Sequence, residues 1–154
     1  MTDEPNIETT ETQGAISPVA AAVADSSGGM VVTQMLIVAD VPRSVAFYRD
    51  VLGATVERQD TPAMLRLYNG WIVINLGGGP TDDKPTVTLA PPVIRNEASA
   101  FFNIRVADID STYRAWSARG AEFITEPRPR GPEIRCYLQD PDGYLIELGQ
   151  TITS

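Results

Sequence analysis

Apolar positions along the chain fall into helical spacing twice. Val41, Val45, Tyr48 and Leu52 recur at helical spacing, and so do Ile109, Tyr113 and Trp116. Around each helix lie apolar runs of strand length. The first half has VVTQMLIVA (31–39), MLRLY (64–68) and WIVINL (71–76); the second has AFFNIRVA (100–107), IRCYLQ (134–139) and YLIELG (144–149). The two halves repeat one pattern. VADVPRSVAFYRDVLGATV (38–56) and VADIDSTYRAWSARGAEF (106–123) share Val-Ala-Asp, an apolar residue, about three helical turns and Gly-Ala, with one residue fewer before the second Gly. Asp40 and Asp108 read as helix N-caps, Pro42 suits the first turn, and Gly53 and Gly120 read as C-terminal stops.

This pattern predicts an α+β domain over 31–154, made of two βαβββ modules at about 31–78 and 99–150. Asn69-Gly70 is the hairpin signal of the first module and DPDG (140–143) that of the second. A single module leaves half its sheet uncovered, so the two are expected to pair into a curved mixed sheet around a cavity. The connection, about 79–98, is rich in Gly and Pro and holds one strand candidate, TVTL (86–89). GGGP (77–80) lacks the Lys-Ser/Thr and helix of a phosphate loop and reads as a lid over the pocket mouth. Residues 1–30 lack periodicity and are expected to be a disordered acidic tail, with a short helix over SPVAAAVADS as the alternative.

Strand alternation sorts the apolar runs into two faces. Tyr144, Ile146 and Leu148, with Ile72, Ile74, Phe102, Ile104 and Val106, form continuous apolar faces suited to the helices. The opposite faces collect Thr33, Met35, Ile37, Trp71, Val73, Asn75, Phe101, Asn103, Arg105, Arg135, Tyr137, Leu145 and Glu147. Aromatic and aliphatic walls with a few polar groups have the composition of a small-molecule pocket; the alternative is that these side chains fill a sheet-to-sheet core. The predicted ligand-binding residues are Thr33, Met35, Trp71, Asn75, Phe101, Asn103, Arg105, Arg135, Tyr137 and Glu147. Three roles for Glu147 are open: an ion pair with Arg135 or Arg105, a ligand contact, or a catalytic base. Arg105 and Arg135 suit a ligand carboxylate or phosphate, or neutralise Glu147. Cys136 has core parity, which argues against a nucleophile.

Composition narrows the chemistry. Among 154 residues there is no histidine, which removes His-based acid–base catalysis, Ser–His–Asp or Cys–His nucleophiles and most transition-metal sites. The net charge of −8 argues against nucleic acid as a partner. Its location matters: Asp3, Glu4, Glu8, Glu11 and Asp25, with no Lys or Arg before residue 31, place five of those charges in the tail. No apolar run reaches the ~20 residues of a membrane span, and no basic-then-apolar leader opens the chain. A single cysteine points to the cytoplasm.

The repeated strand–VAD–helix–Gly unit, SVAFYRDVLGA (44–54) and the closing DPDGYLIEL (140–148) resemble the vicinal oxygen chelate superfamily of glyoxalase I, bleomycin-resistance and fosfomycin-resistance proteins and extradiol dioxygenases. The resemblance spans about 31–150. It implies two βαβββ modules around a cavity, often in dimers. Metal-using members place ligands seven residues before each helix-starting Asp, here Thr33 and Phe101, and late in each module's last strand, here Asn75 and Glu147. Only Glu147 is a good ligand. Gln34, one residue from the first of these positions, has the opposite parity. The resemblance thus leads to a metal-independent small-molecule-binding protein without cofactor. The alternative is a glyoxalase-like lyase, isomerase, hydrolase or dioxygenase using Glu147 with Tyr137 or Arg135.

Overall fold

The structure, a computed structural model, describes residues 17–152. The chain divides after Val31 into two units. In the first, α1 (Pro18–Asp25) forms an eight-residue helix. This is the short helix weighed over SPVAAAVADS; the rest of the expected tail, residues 1–16, lies outside the described residues.

The second unit contains two βαβββ modules. Module one is β1 (Thr33–Val38), α2 (Val41–Ala46) continued by a π-helical turn (Phe47–Val51), β2 (Thr55–Arg58), β3 (Ala63–Leu67) and β4 (Gly70–Leu76). Module two is β5 (Phe102–Arg105), α3 (Ile109–Ala118), β6 (Arg128–Arg130), β7 (Glu133–Gln139) and β8 (Leu145–Thr151). The sheets have the orders β1-β4-β3-β2 and β5-β8-β7-β6, each with its first strand parallel to its last. No strand ladder joins the two sheets among the described residues. The short strands β2 and β6 were not located by pattern. TVTL forms no strand; only Leu89 bridges Gly78.

Both helices start as the sequence indicates. Asp40 accepts from the Arg43 amide at 2.9 Å and Asp108 from the Ser111 amide at 2.8 Å. Gly53 and Gly120 take positive φ after the helices, where a side chain would be strained. The extra residue of the first copy is absorbed by a π-helical turn over Phe47–Val51, in which the Leu52 amide reaches back to the Phe47 carbonyl. The β3–β4 turn falls one residue early, on Tyr68-Asn69 rather than Asn69-Gly70. Gly70 already pairs with Leu67, and Tyr68 takes φ 54° while its hydroxyl donates to the Leu52 carbonyl at 2.9 Å.

The helix sides of both modules merge into one core, including Leu36, Tyr48, Ile72, Ile74, Trp116, Leu138, Ile146 and Leu148. The closing turn of module two ties this core to module one. Asp140, buried, accepts the Tyr48 hydroxyl at 2.9 Å and the amides of Asp142 and Tyr144. Asp142 accepts from the Ala39 amide, Arg43 and the Ser44 hydroxyl, and the Tyr144 hydroxyl both donates to and accepts from the Ile37 backbone. FYRDVLG and DPDGY therefore meet across the module boundary. Their spacing marks a fold because each satisfies polar groups that the other buries.

Candidate functional site

With their apolar faces committed to the core, the sheets turn their opposite faces away from it, in the parity the alternation predicts, although Ile37, Trp71, Val73 and Glu147 on those outward faces are themselves buried. In module one the parallel register pairs Thr33 with Trp71, Met35 with Val73 and Ile37 with Asn75. In module two it pairs Asn103 with Glu147 and Arg105 with Gly149, and the antiparallel register sets Tyr137 beside Glu147 and Arg135 beside Gly149. Gln34 pairs with Ile72 on the other parity and turns its amide to the neighbouring Met35 carbonyl.

Register corrects one assignment. Met35 and Asn103 each stand five residues before the capping Asp, and they pair with Val73 and Glu147 respectively. Val73, not Asn75, is thus the counterpart of Glu147, and Asn75 is the counterpart of Gly149. The Asn75 side chain accepts from the adjacent Leu76 amide.

Glu147 is 3% exposed, and its partners are neutral. Asn103 Nδ2 donates to Oε1 at 2.6 Å, and the Tyr137 hydroxyl donates to Oε2. The expected ion pair with Arg105 or Arg135 is not what holds it: those guanidiniums converge on Glu133, at 3.0 and 2.7 Å. Register sets both arginines one row from each carboxylate, and the Glu147 oxygens are already taken by Asn103 and Tyr137. The hydrogen bond to Glu147 foremost, then burial, raises the Tyr137 pKa, so this phenol is a proton donor and not a standing phenolate. The Arg135 bond lowers the Glu133 pKa. Burial pushes the Cys136 thiol up to about 11, which suits an inert core side chain.

The predicted residues do not share one enclosed pocket. Phe101 packs its ring against Tyr137, at 6.5 Å between centroids, beside the Glu147 group. Trp71, Asn103 and Arg105 border a cavity of about 750 Å³ between the β3–β4 turn and the β5–α3 segment. Sequence reasoning passed over two of its walls, Tyr68 and the N-terminal turn of α3, and nothing in the alternation points to them. Thr33 stands beside Trp71 on the first sheet, and Met35 and Asn75 lie farther along it; none of the three lines either cavity. A second cavity, about 580 Å³, lies between residues 90–100 of the connection and the 143–145 turn. Arg95 pins that connection by donating to the Pro141 and Asp140 carbonyls. Glu147 lines neither cavity.

The four positions that the resemblance assigns to a metal do not fit one. Phe101 has no donor atom, Thr33 offers a hydroxyl, and register replaces Asn75 with the aliphatic Val73. Glu147 already has a donor on each oxygen. Among the described residues no three His, Cys, Asp or Glu side chains are grouped to hold an ion.

Two βαβββ modules sharing one core, each with an outward sheet face, define an internally repeated α+β scaffold. The chain belongs to the Glyoxalase/Bleomycin resistance protein/Dioxygenase superfamily, whose family model matches residues 30–148. It is 30% identical over 125 residues to a probable lactoylglutathione lyase of Synechocystis, covering 76% of this chain and 92% of that protein. It is also 30% identical over 118 residues to a probable chloroplastic lactoylglutathione lyase of Arabidopsis thaliana, covering 72% of this chain but only 33% of that longer relative. Among solved structures, a glyoxalase/bleomycin resistance protein/dioxygenase from Nocardioides superposes with a TM-score of 0.66 at 19% identity, covering 87% of this chain and 91% of that one. The fosfomycin resistance protein FosX from Listeria monocytogenes gives 0.55 at 20% identity, covering 79% and 92%. No helix among the described residues is long and apolar enough to cross a membrane.

Proposed function

We propose that this protein binds a small organic ligand at the modules' outward faces without a metal. The observation that carries this reading is the state of Glu147. It is the single competent donor among four ligand positions, and Asn103 and Tyr137 occupy its oxygens. What remains is a polar, hydrogen-bonded floor beside an aromatic wall and a cleft bordered by both modules, the composition of a recognition site. A reducing cytoplasm suits the one cysteine, a buried free thiol. Pairing of two chains belongs to the same reading, and light scattering measures it.

The test combines elemental analysis of the purified protein with a thermal-shift ligand screen, with and without chelator. The expected result is substoichiometric metal and ligand-dependent stabilisation that chelator leaves unchanged. Stoichiometric tight metal, or chelator-sensitive turnover, sinks the proposal.

The relatives' name, lactoylglutathione lyase, favours a second reading as an enzyme of that class. Here Tyr137 is the proton donor and Glu147 its partner. This reading expects Glu147→Gln to abolish lyase activity while the folded circular dichroism spectrum persists. Absence of lyase activity in the wild type decides against it.

A further inference from the structure

The outward face of the second sheet is laid out in rows by its registers. Asn103, Glu147 and Tyr137 form one row across β5, β8 and β7. The next runs Arg105, Gly149, Arg135 and Arg128 across all four strands. The third holds Thr151, Glu133 and Arg130. Four guanidiniums therefore share this face with two carboxylates, in a chain whose net charge is −8. The corresponding row of the first sheet contains Ile37, Asn75 and no arginine on β1 or β4.

The arginine row is organised rather than scattered. Arg105 donates to Thr151 at 2.8 Å and bridges to Glu133, which Arg135 bridges from the other side. A guanidinium carries five N–H donors, so these contacts use fewer than half of what the two bring. Both side chains remain more than a third exposed. Arg128 and Arg130 make no ion pair among the described residues. Gly149 makes the convergence sterically feasible: a Cβ there would collide with the Arg105 guanidinium, which lies over the bare backbone between β5 and β7. Glu133 neutralises part of this charge and fixes the two forks in place. Glu147 neutralises none of it by direct contact.

We propose that the Arg105–Arg135–Arg128 row is an anion-recognition site that seats the carboxylate or phosphate group of an organic acid. The proposal rests on the binding reading above and names its ligand class. Planar guanidinium forks match the oxygens of either anion in paired hydrogen bonds. The ligand's body then crosses the Asn103–Glu147–Tyr137 row toward Phe101, which is half exposed and supplies an apolar surface. Arg105 and Phe101 stand four residues apart, roughly 13 Å at strand rise, which sets the length of ligand the face can span.

The test uses benzoate, phenyl phosphate and the neutral benzamide as probes of the full chain, at constant ionic strength, followed by amide NMR titration. The expected result is saturable shifts at Arg105, Gly149 and Arg135 with at least one anion and none with benzamide. The stronger anion tells carboxylate from phosphate recognition. Arg135→Gln should weaken binding at least tenfold. Arg128→Gln, which removes no ion pair and so leaves the fold intact, should weaken it severalfold. Benzamide binding as tightly as the anions, or anion binding indifferent to both substitutions, overturns the anion site but leaves small-molecule binding standing. Failure of all three probes, together with an empty thermal-shift screen, overturns both.

Discussion

The two modules share a backbone plan and differ in what they present outward. Their helix-side positions match in kind: Leu36 with Ile104, Val38 with Val106, Ile72 with Ile146, Ile74 with Leu148, all apolar. Their outward positions do not. Thr33, Met35, Ile37 and Val73 stand where module two has Phe101, Asn103, Arg105 and Glu147. Trp71 lies buried under the Arg66 guanidinium at 4.9 Å, an apolar surface with one cationic cover. The repeat fixes the core, because both modules must bury the same faces. The outward faces carry no such constraint, so chemistry is concentrated on one of them.

The largest expected effect breaks the shared side. Ile146 is fully buried, and Ile146→Ala should cost about 2–5 kcal/mol by lost burial and a residual cavity, read as a lower midpoint in urea unfolding. Glu147→Gln, one residue away on the other face, keeps its volume and should remain folded under the same conditions. Equal losses for the two would erase the distinction between faces.

A transplant sharpens the comparison. Val73 is buried and flanked in register by Met35 and Met64, where Glu147 has Asn103 and Tyr137. Val73→Glu therefore buries a carboxylate without its donors, and should cost on the order of 3 kcal/mol with an upward-shifted pKa. A Val73→Glu protein as stable as wild type would show that the face, not its partners, tolerates the charge.

The smallest effect concerns the joint between modules. Burial above all raises the Asp140 pKa, opposed by its hydrogen bonds from Tyr144, Tyr48 and Asp142. A carboxyl raised on folding adds stability in its protonated form, fully below the unfolded value and lost as pH climbs through the folded one. Asp140→Asn removes the charge and keeps the shape, so its stability should differ from wild type by about 1 kcal/mol or less. Wild type should gain on the variant as pH falls from neutral toward the ordinary Asp range. Unfolding curves at several pH values measure this; a relative loss on acidification contradicts the assigned sign.

The caps at Asp40 and Asp108, the stops at Gly53 and Gly120, and the parity of every outward residue are legible in the chain because each depends on neighbours within a few residues. The one-residue difference between copies was legible too, but not that a π-helical turn would hold it. The Asn75 assignment failed on a quantity of longer range. Pairing β4 with β1 depends on a turn that slid onto Tyr68-Asn69 and on a strand some forty residues earlier. Composition could not foretell that Arg105 and Arg135 choose Glu133, since all candidate partners lie on the same face.

The sequence by itself determined two βαβββ modules, their helix ends, their buried faces and the absence of histidine chemistry, all consequences of local period and residue type. The tertiary structure alone decided which side chains meet: Glu147 with Asn103 and Tyr137, three arginines across Gly149, and Tyr48 with Asp140 between modules. Alternation fixes a side chain's face. Register, set by pairing between distant segments, fixes its neighbours.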